Sequence, residues 1–371
     1  MLYKFLIAKT IRKQVSNKIL KINKSKIMIY FSKIEIKNLI IHSVGNKLKG
    51  DTLLTSDSSV ILGSDIEEVL LKFMISPFKS SEFHTFNDLE NNATYKSVKT
   101  ILDMPSVFVT ESKKIARYLF DSIKNPKVLG GNLFIVHFKD CIVGEELTEA
   151  IGIFKSEVAD TYLKIKPSNE RFAVEKEAGI SISKLAKGCI IYNYEAKDGY
   201  LVSVIDKRSK NEDVSYWSDT FLDIIPRQDN YYQTTNVLNY AEHFIKNGLP
   251  DLFDISKADQ VNLLNKTLNW FKENDEFDWN EYSNQTFEVK ELIDEFDSYR
   301  DSFEQDNGLE LAETFAINLP AVKNQAKKLK SIIKLDDKFD IIIHKDKENL
   351  FRGKDDASGL NYYQLFFKNE E

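Results

Sequence analysis

The apolar residues of this chain change their period near Pro226, and that change limits the folds open to it. From residue 130 to Pro226 the dominant signal is alternation. Gly130-Gly131 releases the run Asn132 to Lys139, with Leu133, Ile135 and His137 on one face and Phe134, Val136 and Phe138 on the other, the period of a β-strand. Strand-like runs follow at about 148–155, 160–166, 189–194 and 200–206, and Lys197-Asp198-Gly199 is a tight-turn signal joining the last two as a hairpin. Upstream, Ile34, Ile36, Leu39, Ile40, Ile41 and Val44 mark a strand region closed by Gly45-Asn46. Thr52 to Leu62 reads as a second hairpin. Ser64-Asp65-Ile66-Glu67 has the capping-box pattern, and Ile66, Val69, Leu70, Phe73 and Met74 stripe a helix that Pro77 ends. Two more helices are expected at about 91–103 and 111–124, the second with Ile115, Tyr118, Leu119 and Ile123 inward and Lys113, Lys114 and Arg117 outward. This predicts a mostly antiparallel sheet with flanking helices, an α+β arrangement.

Beyond Pro226 the spacing becomes helical. Residues 231–247 run to Gly248-Leu249-Pro250, and Ser256 caps a helix with Val261, Leu264, Leu268 and Phe271 on one face. In 286–304, Val289, Leu292, Ile293, Phe296, Tyr299 and Phe303 form a stripe opposite an acidic face. Leu319-Pro320 then opens a basic helix, Pro320 suiting its first turn. Val322, Ala326, Leu329 and Ile333 would share its inner face, and Lys323, Lys327, Lys330 and Lys334 would repeat that spacing one residue later, about 100° round. Phe339 to Lys345 and Asn361 to Lys368, joined by a polar loop with Gly353 and Gly359, predict a C-terminal β-hairpin. The expected division is a basic extension at 1–27, an α+β domain at 28–228, a helical domain at 229–335 and the hairpin at 336–371.

Charge is unevenly placed. The net charge of −6 does not suit bulk attraction to DNA. Residues 1–27 carry eight bases and no acid, whereas 273–313 carry fifteen Asp or Glu against Lys290 and Arg300, a balance of −13. Met28 opens a second start-like run, so 1–27 read as an upstream extension from a misassigned start; a basic DNA-binding arm is the alternative. No run approaches the ~18 apolar residues of a membrane span, and the apolar pieces of the basic N-terminus are too short for a signal-peptide core. Cys141 and Cys189 form no disulfide or zinc spacing, which fits a reduced compartment.

The chain holds no phosphate-binding Gly-rich loop, His-Glu-x-x-His or Gly-x-Ser-x-Gly. His42, His84, His137, His243 and His344 stand singly and read as core-edge or surface residues, since zinc ligands recur as close pairs. The acids of 273–313 lie on outer helix faces, whereas acid–base catalysis needs partly buried carboxyls in a cleft. No catalytic residue, metal or cofactor is expected. Tyr192, Tyr194, Tyr200, Tyr362 and Tyr363 offer rings for base stacking, although alternate strand positions more often pack a sheet. Lys207-Arg208-Ser209-Lys210 is a compact basic loop past a strand end.

Several segments together resemble the NdpA-type bacterial nucleoid-associated protein family, in its Bacteroidetes-like version. They are the run Ile36 to Lys47, the Gly130-Gly131 strand with His137, Tyr200 to Asp206 with its basic tail, and a closing region holding Phe339 to Ile343, Arg352-Gly353 and Tyr362-Tyr363. The likeness covers about residues 28–371 and implies a cytoplasmic, nucleoid-associated protein without known catalysis, but no residue-level binding map. The leading expectation is sequence-tolerant DNA binding through phosphates by Lys323, Lys327, Lys330 and Lys334, with Lys207, Arg208 and Arg352 as further contacts. The alternative is an adaptor whose acidic helical region binds a basic protein partner, in a defence or chromosome-associated complex. An enzyme acting on nucleic acid would require acids or histidines converging in a cleft.

Overall fold

The computed structural model describes residues 27–157, 159–168, 171–206, 216–329, 332–336, 338–342 and 350–368. The chain divides into two compact units, meeting in sequence at Arg227 and Gln228.

The first unit, from Ile27, is built on one large sheet. Its elements are β1 (Ile29–Tyr30), β2 (Glu35–Val44), β3 (Leu53–Leu54), α1 (Ser64–Ile75), β4 (His84–Phe86), α2 (Ala93–Asp103), α3 (Phe108–Ser122), β5 (Gly131–Val143), β6 (Glu146–Ser156), β7 (Ala159–Ser168), β8 (Arg171–Ile180), β9 (Lys187–Tyr192), β10 (Leu201–Asp206) and β11 (Ile224–Pro226). The strand order is β11-β4-β10-β9-β6-β5-β2-β3, with β1 also on β5, and every pairing is antiparallel. The alternation in β5 is used on both sides. Leu133 and Ile135 enter a core with Val98 and Ile101 of α2 and Ile115 and Leu119 of α3, while Phe134, Val136 and Phe138 enter a second core with Phe73 and Met74 of α1. Helices therefore cover both faces, which is why the central strands read apolar almost throughout.

Two local expectations in this unit are corrected. Ser64 does not cap α1; Gly63 holds that place without a side-chain bond. Glu67 accepts instead from the Ile36 amide at 3.2 Å, beside the irregularity between Ile36 and Asn38 where β2 slips register on β5. Thr52 to Leu62 does not fold back on itself. Leu53 and Leu54 pair with Val44 and Ser43, and the Val60 amide donates to the Leu39 carbonyl. The β9–β10 hairpin forms as expected, with Glu195 and Gly199 at positive φ in its turn. β7 and β8 form a separate ribbon. Ion pairs of Lys164 with Glu177 and Lys166 with Glu175 line one of its faces, and exposed Leu163, Ile165, Phe172 and Val174 line the other.

The second unit, from Gln228, is mainly helical: α4 (Asn230–His243), α5 (Leu249–Leu252), α6 (Lys257–Glu273), β12 (Glu276–Asp278), α7 (Trp279–Phe287), α8 (Lys290–Asn307), β13 (Thr314–Ala316) and α9 (Leu319–Lys328), then β14 (Ile332–Leu335), β15 (Phe339–Ile342), β16 (Leu350–Lys354) and β17 (Asn361–Leu365). Its core is strongly aromatic, with Tyr240, Phe244, Trp270, Phe271, Phe277, Trp279, Tyr282, Phe287, Phe296 and Phe303 all buried. Ser256 and Asp259 close a reciprocal capping box at the start of α6. The fold is α+β, with an antiparallel sheet, flanking helices and a C-terminal hairpin.

Candidate nucleic-acid interface

Helix α9 begins where Asn318 accepts the Ala321 amide and Pro320 occupies the first turn. It buries Ala321, Val322 and Leu329 and leaves Lys323, Lys327 and Lys328 exposed. It ends at Lys328, a turn and a half short of the expected length. Lys334 therefore stands not on the helix but in β14, directly across from Asp340 of β15. The reason lies in Ile332 and Ile333: β-branched side chains favour a strand, these two pair with Ile342 and Ile341, and Ile333 is buried beneath the hairpins. The four-lysine stripe is replaced by cations on two kinds of element. Lys330, Lys207 and Arg208 lie outside the described residues.

The closing region also differs in pairing. Phe339–Ile342 turns back on β14, and Asn361–Leu365 pairs with β16, so two hairpins replace the one expected. Ile333, Leu335, Ile341, Leu350 and Tyr363 gather over Ala258 and Val261 of α6. Across β16–β17, Arg352 faces Tyr363, Gly353 faces Tyr362 and Lys354 faces Asn361. A Cβ on residue 353 would overlap the Tyr362 ring, so glycine makes room for that ring on the ribbon face opposite the one to which Arg352 and Lys354 point. Both cations are exposed. A groove of about 480 Å³ runs from this strand to the start of α6, lined by Ser256, Ala258, Arg352 and Lys354 among others. Lys354 was not among the sequence candidates; its two-residue spacing from Arg352 on a strand is the signal that would have found it.

Lys323, Lys327, Lys328, Lys334, Arg352 and Lys354 make no ion pair with any described residue. Elsewhere some basic side chains are committed, although others, Lys124, Lys127, Lys176 and Lys197 among them, are also exposed without an ion pair among the described residues. On α3, Lys113 pairs with Asp57 and Lys114 with Glu111 at 2.6 Å. Lys155 and Lys187, neighbours across β6 and β9, are buried against Glu157 and Asp206 at 3.0 and 2.7 Å, with the Tyr216 ring about 5 Å from each ammonium. They tie strands together and are closed to phosphates. In the acidic stretch, Arg300 is held by Glu304 and Glu313 and lies 4.4 Å over the Trp279 ring, and Lys266 binds Glu288 at 2.7 Å.

The histidines and cysteines are arranged as structural groups. His42 and His137 are buried rather than at the core's edge. The Ser56 amide donates to Nδ1 of His42 at 3.1 Å, which leaves Nε2 to donate to Ser112 Oγ at 3.1 Å. That polarity is opposite to the one a serine nucleophile needs from its base. Burial, with Lys113 adding to it, brings His42 down to about 4. His137 Nε2 meets Glu149 at 2.8 Å, and burial lowers its pKa as well. Burial pushes the Cys141 thiol up to about 12 and Cys189 higher, away from nucleophilic thiolates. Among the described residues no group of three or more His, Cys, Asp or Glu is placed to hold a metal ion, and no helix is long and apolar enough to cross a membrane.

Residues 40–356 match the family model described as nucleoid-associated protein YejK. No curated protein matches the chain.

Proposed function

We propose that this chain, which belongs to the nucleoid-associated protein YejK family, holds DNA through its phosphates with little regard to sequence. The observation that carries the reading is the set of exposed cations on α9 and the terminal hairpins that have no acidic partner among the described residues. An unpaired, solvated ammonium or guanidinium can meet a phosphate without first breaking an ion pair, and Arg352 can do so with two parallel hydrogen bonds. Phosphate contacts fix position without reading bases. Lys207, Arg208 and Lys330 belong to the same proposal on charge alone. The reading assigns the protein no chemical step.

Each phosphate contact adds roughly −0.9 to the slope of log K against log salt. Replacing Lys323, Lys327, Lys334 and Arg352 together by Ser is expected to flatten that slope by up to about 3–4 units, and each single change by about one. A salt titration of the full chain on duplex DNA reads this directly. A slope that the fourfold variant leaves unchanged would remove these residues from the interface.

One observation favours a second reading. Glu291, Asp294, Asp301 and Asp306 of α8 are exposed, without an ion-pair partner among the described residues, and would suit a basic protein partner. Capture of such a partner that survives nuclease and disappears when these acids are neutralised would support an adaptor role.

A further inference from the structure

The β7–β8 ribbon of the first unit carries an apolar face that the described residues leave uncovered. β7 and β8 pair only with each other. The ribbon is tied down at its root, where Ile180 packs on the core that holds Phe73 and Lys184 binds Asp160 at 3.0 Å. Beyond that root three cross-strand pairs share one face: Leu163 with Lys176, Ile165 with Val174, and Pro167 with Phe172. Leu163, Ile165, Phe172 and Val174 are each between 63% and 73% exposed. Two strands alone are marginal in water and gain stability when such a face is covered.

Charge narrows what the cover is. The opposite face neutralises itself through the pairs of Lys164 with Glu177 and Lys166 with Glu175. Over residues 159–180 four bases stand against four acids, so the ribbon has no pull on a polyanion or an anionic membrane. In a chain of net charge −6 it is a place where two copies meet without repulsion. The face is also self-complementary. Because the Ile165–Val174 pair lies midway between the other two, a two-fold axis running across the strands at that pair lays one ribbon on another with the strands reversed. Each Pro167 then meets the partner's Leu163, each Phe172 meets the partner's Lys176, and Ile165 and Val174 each meet their own counterpart. Lys176 is exposed and makes no ion pair among the described residues, so its ammonium is open to the face of a phenyl ring.

The area fits the same occupant. The four large apolar side chains expose roughly 500 Å² per copy, the size of patch that marks an interaction site. Packed against each other, two such faces remove roughly 1,000 Å² from water, the least that a specific interface needs. We propose that two copies of this chain associate through these ribbon faces, in a two-fold dimer centred on Ile165 and Val174. The interface is small, so the dimer is reversible and forms at micromolar concentration. It carries two sets of the cations on α9 and the terminal hairpins, none of which takes part in forming it.

Sedimentation equilibrium of the full chain without DNA, over a concentration series, tests this. The parent should pass from monomer to dimer across the micromolar range. Ile165→Thr combined with Val174→Thr keeps β-branched side chains, and hence the ribbon, but places hydroxyls at the centre of the face. It should weaken association by about tenfold or more. Lys176→Glu sets a carboxylate against the phenyl ring and should weaken it several-fold, whereas Lys166→Gln, on the opposite face, should leave it unchanged. Thermal melts within a few degrees of the parent show that each variant is folded. If the Thr pair melts early, the contrast between Lys176→Glu and Lys166→Gln decides, and equal effects overturn the assignment. A monomer at every concentration also overturns it, whatever the face is then found to bind, a vesicle or residues 1–26 of its own chain included. So does a dimer that a folded Thr pair leaves intact, since the contact would then lie elsewhere. The measurement contains no DNA, so none of these results bears on the phosphate reading.

Discussion

His42 shows how a single residue can be mistaken for chemistry and still matter. Its ring bridges the Ser56 amide and the Ser112 hydroxyl in the neutral form, and burial holds it down at about 4 against an ordinary 6.5. The folded ring resists protonation, so the unfolded chain binds that proton first as the pH falls. The stability contributed by the neutral ring is complete above pH 6.5 and is lost between there and about pH 4. The loss should reach about 2–3 kcal/mol. His42→Gln keeps a donor near Ser112 without a titrating group; it should cost stability at neutral pH but flatten this acid limb. Urea unfolding at a series of pH values, parent beside variant, measures the difference. At this scale the sequence placed His137 correctly within its strand, since alternation gives the face. It could not give the burial of His42, because the covering groups, Ser56 and Ser112, arrive from distant elements.

Among elements, the strands with strict alternation were the most legible, and α9 was the least. A helical period of apolar residues continued into Ile333 by coincidence of phase, while the pairing of Ile332–Leu335 with Phe339–Ile342 decided the structure. Periodicity within one segment cannot register a partner strand that comes later. β8 escaped for a related reason: its Arg171, Glu175, Lys176 and Glu177 are satisfied within the ribbon or by solvent, so it lacks an apolar core stripe. Gly130-Gly131 was readable as a strand start, but not for its reason. A Cβ on residue 131 would overlap the Ser156 carbonyl across β5–β6, a clash with backbone, whereas one on residue 130 would meet Gly45 Cα at 3.2 Å. Gly131→Ala should therefore destabilise the protein by about 2 kcal/mol or more, and Gly130→Ala by under about 1 kcal/mol. Thermal melts of the two variants give the ranking, and equal effects would show that β6 yields at Ser156 without strain.

On the scale of the whole molecule, the proposed hold on DNA has to be squared with a net charge of −6. The sequence showed the acidic stretch 273–313 beside the basic one and left open whether they neutralise each other. No ion pair joins them among the described residues: the paired acids there bind Arg300 and Lys266, and Lys323, Lys327 and Lys328 stay uncommitted. The acids can then act on DNA only through space, by repulsion that ionic screening removes. The Debye length is about 10 Å at 0.1 M salt and about 3 Å at 1 M. Neutralising Glu291, Asp294, Asp301 and Asp306 to the corresponding amides should raise DNA affinity several-fold at low ionic strength, and the gain should shrink steadily as salt is added. The slope of log K against log salt should also steepen, since the gain is confined to the low-salt end. Affinities of parent and variant across one salt series decide it. A gain that persists at high salt would mean that these carboxylates compete with phosphate by direct contact, and that 273–313 is an occluding segment rather than a distant field.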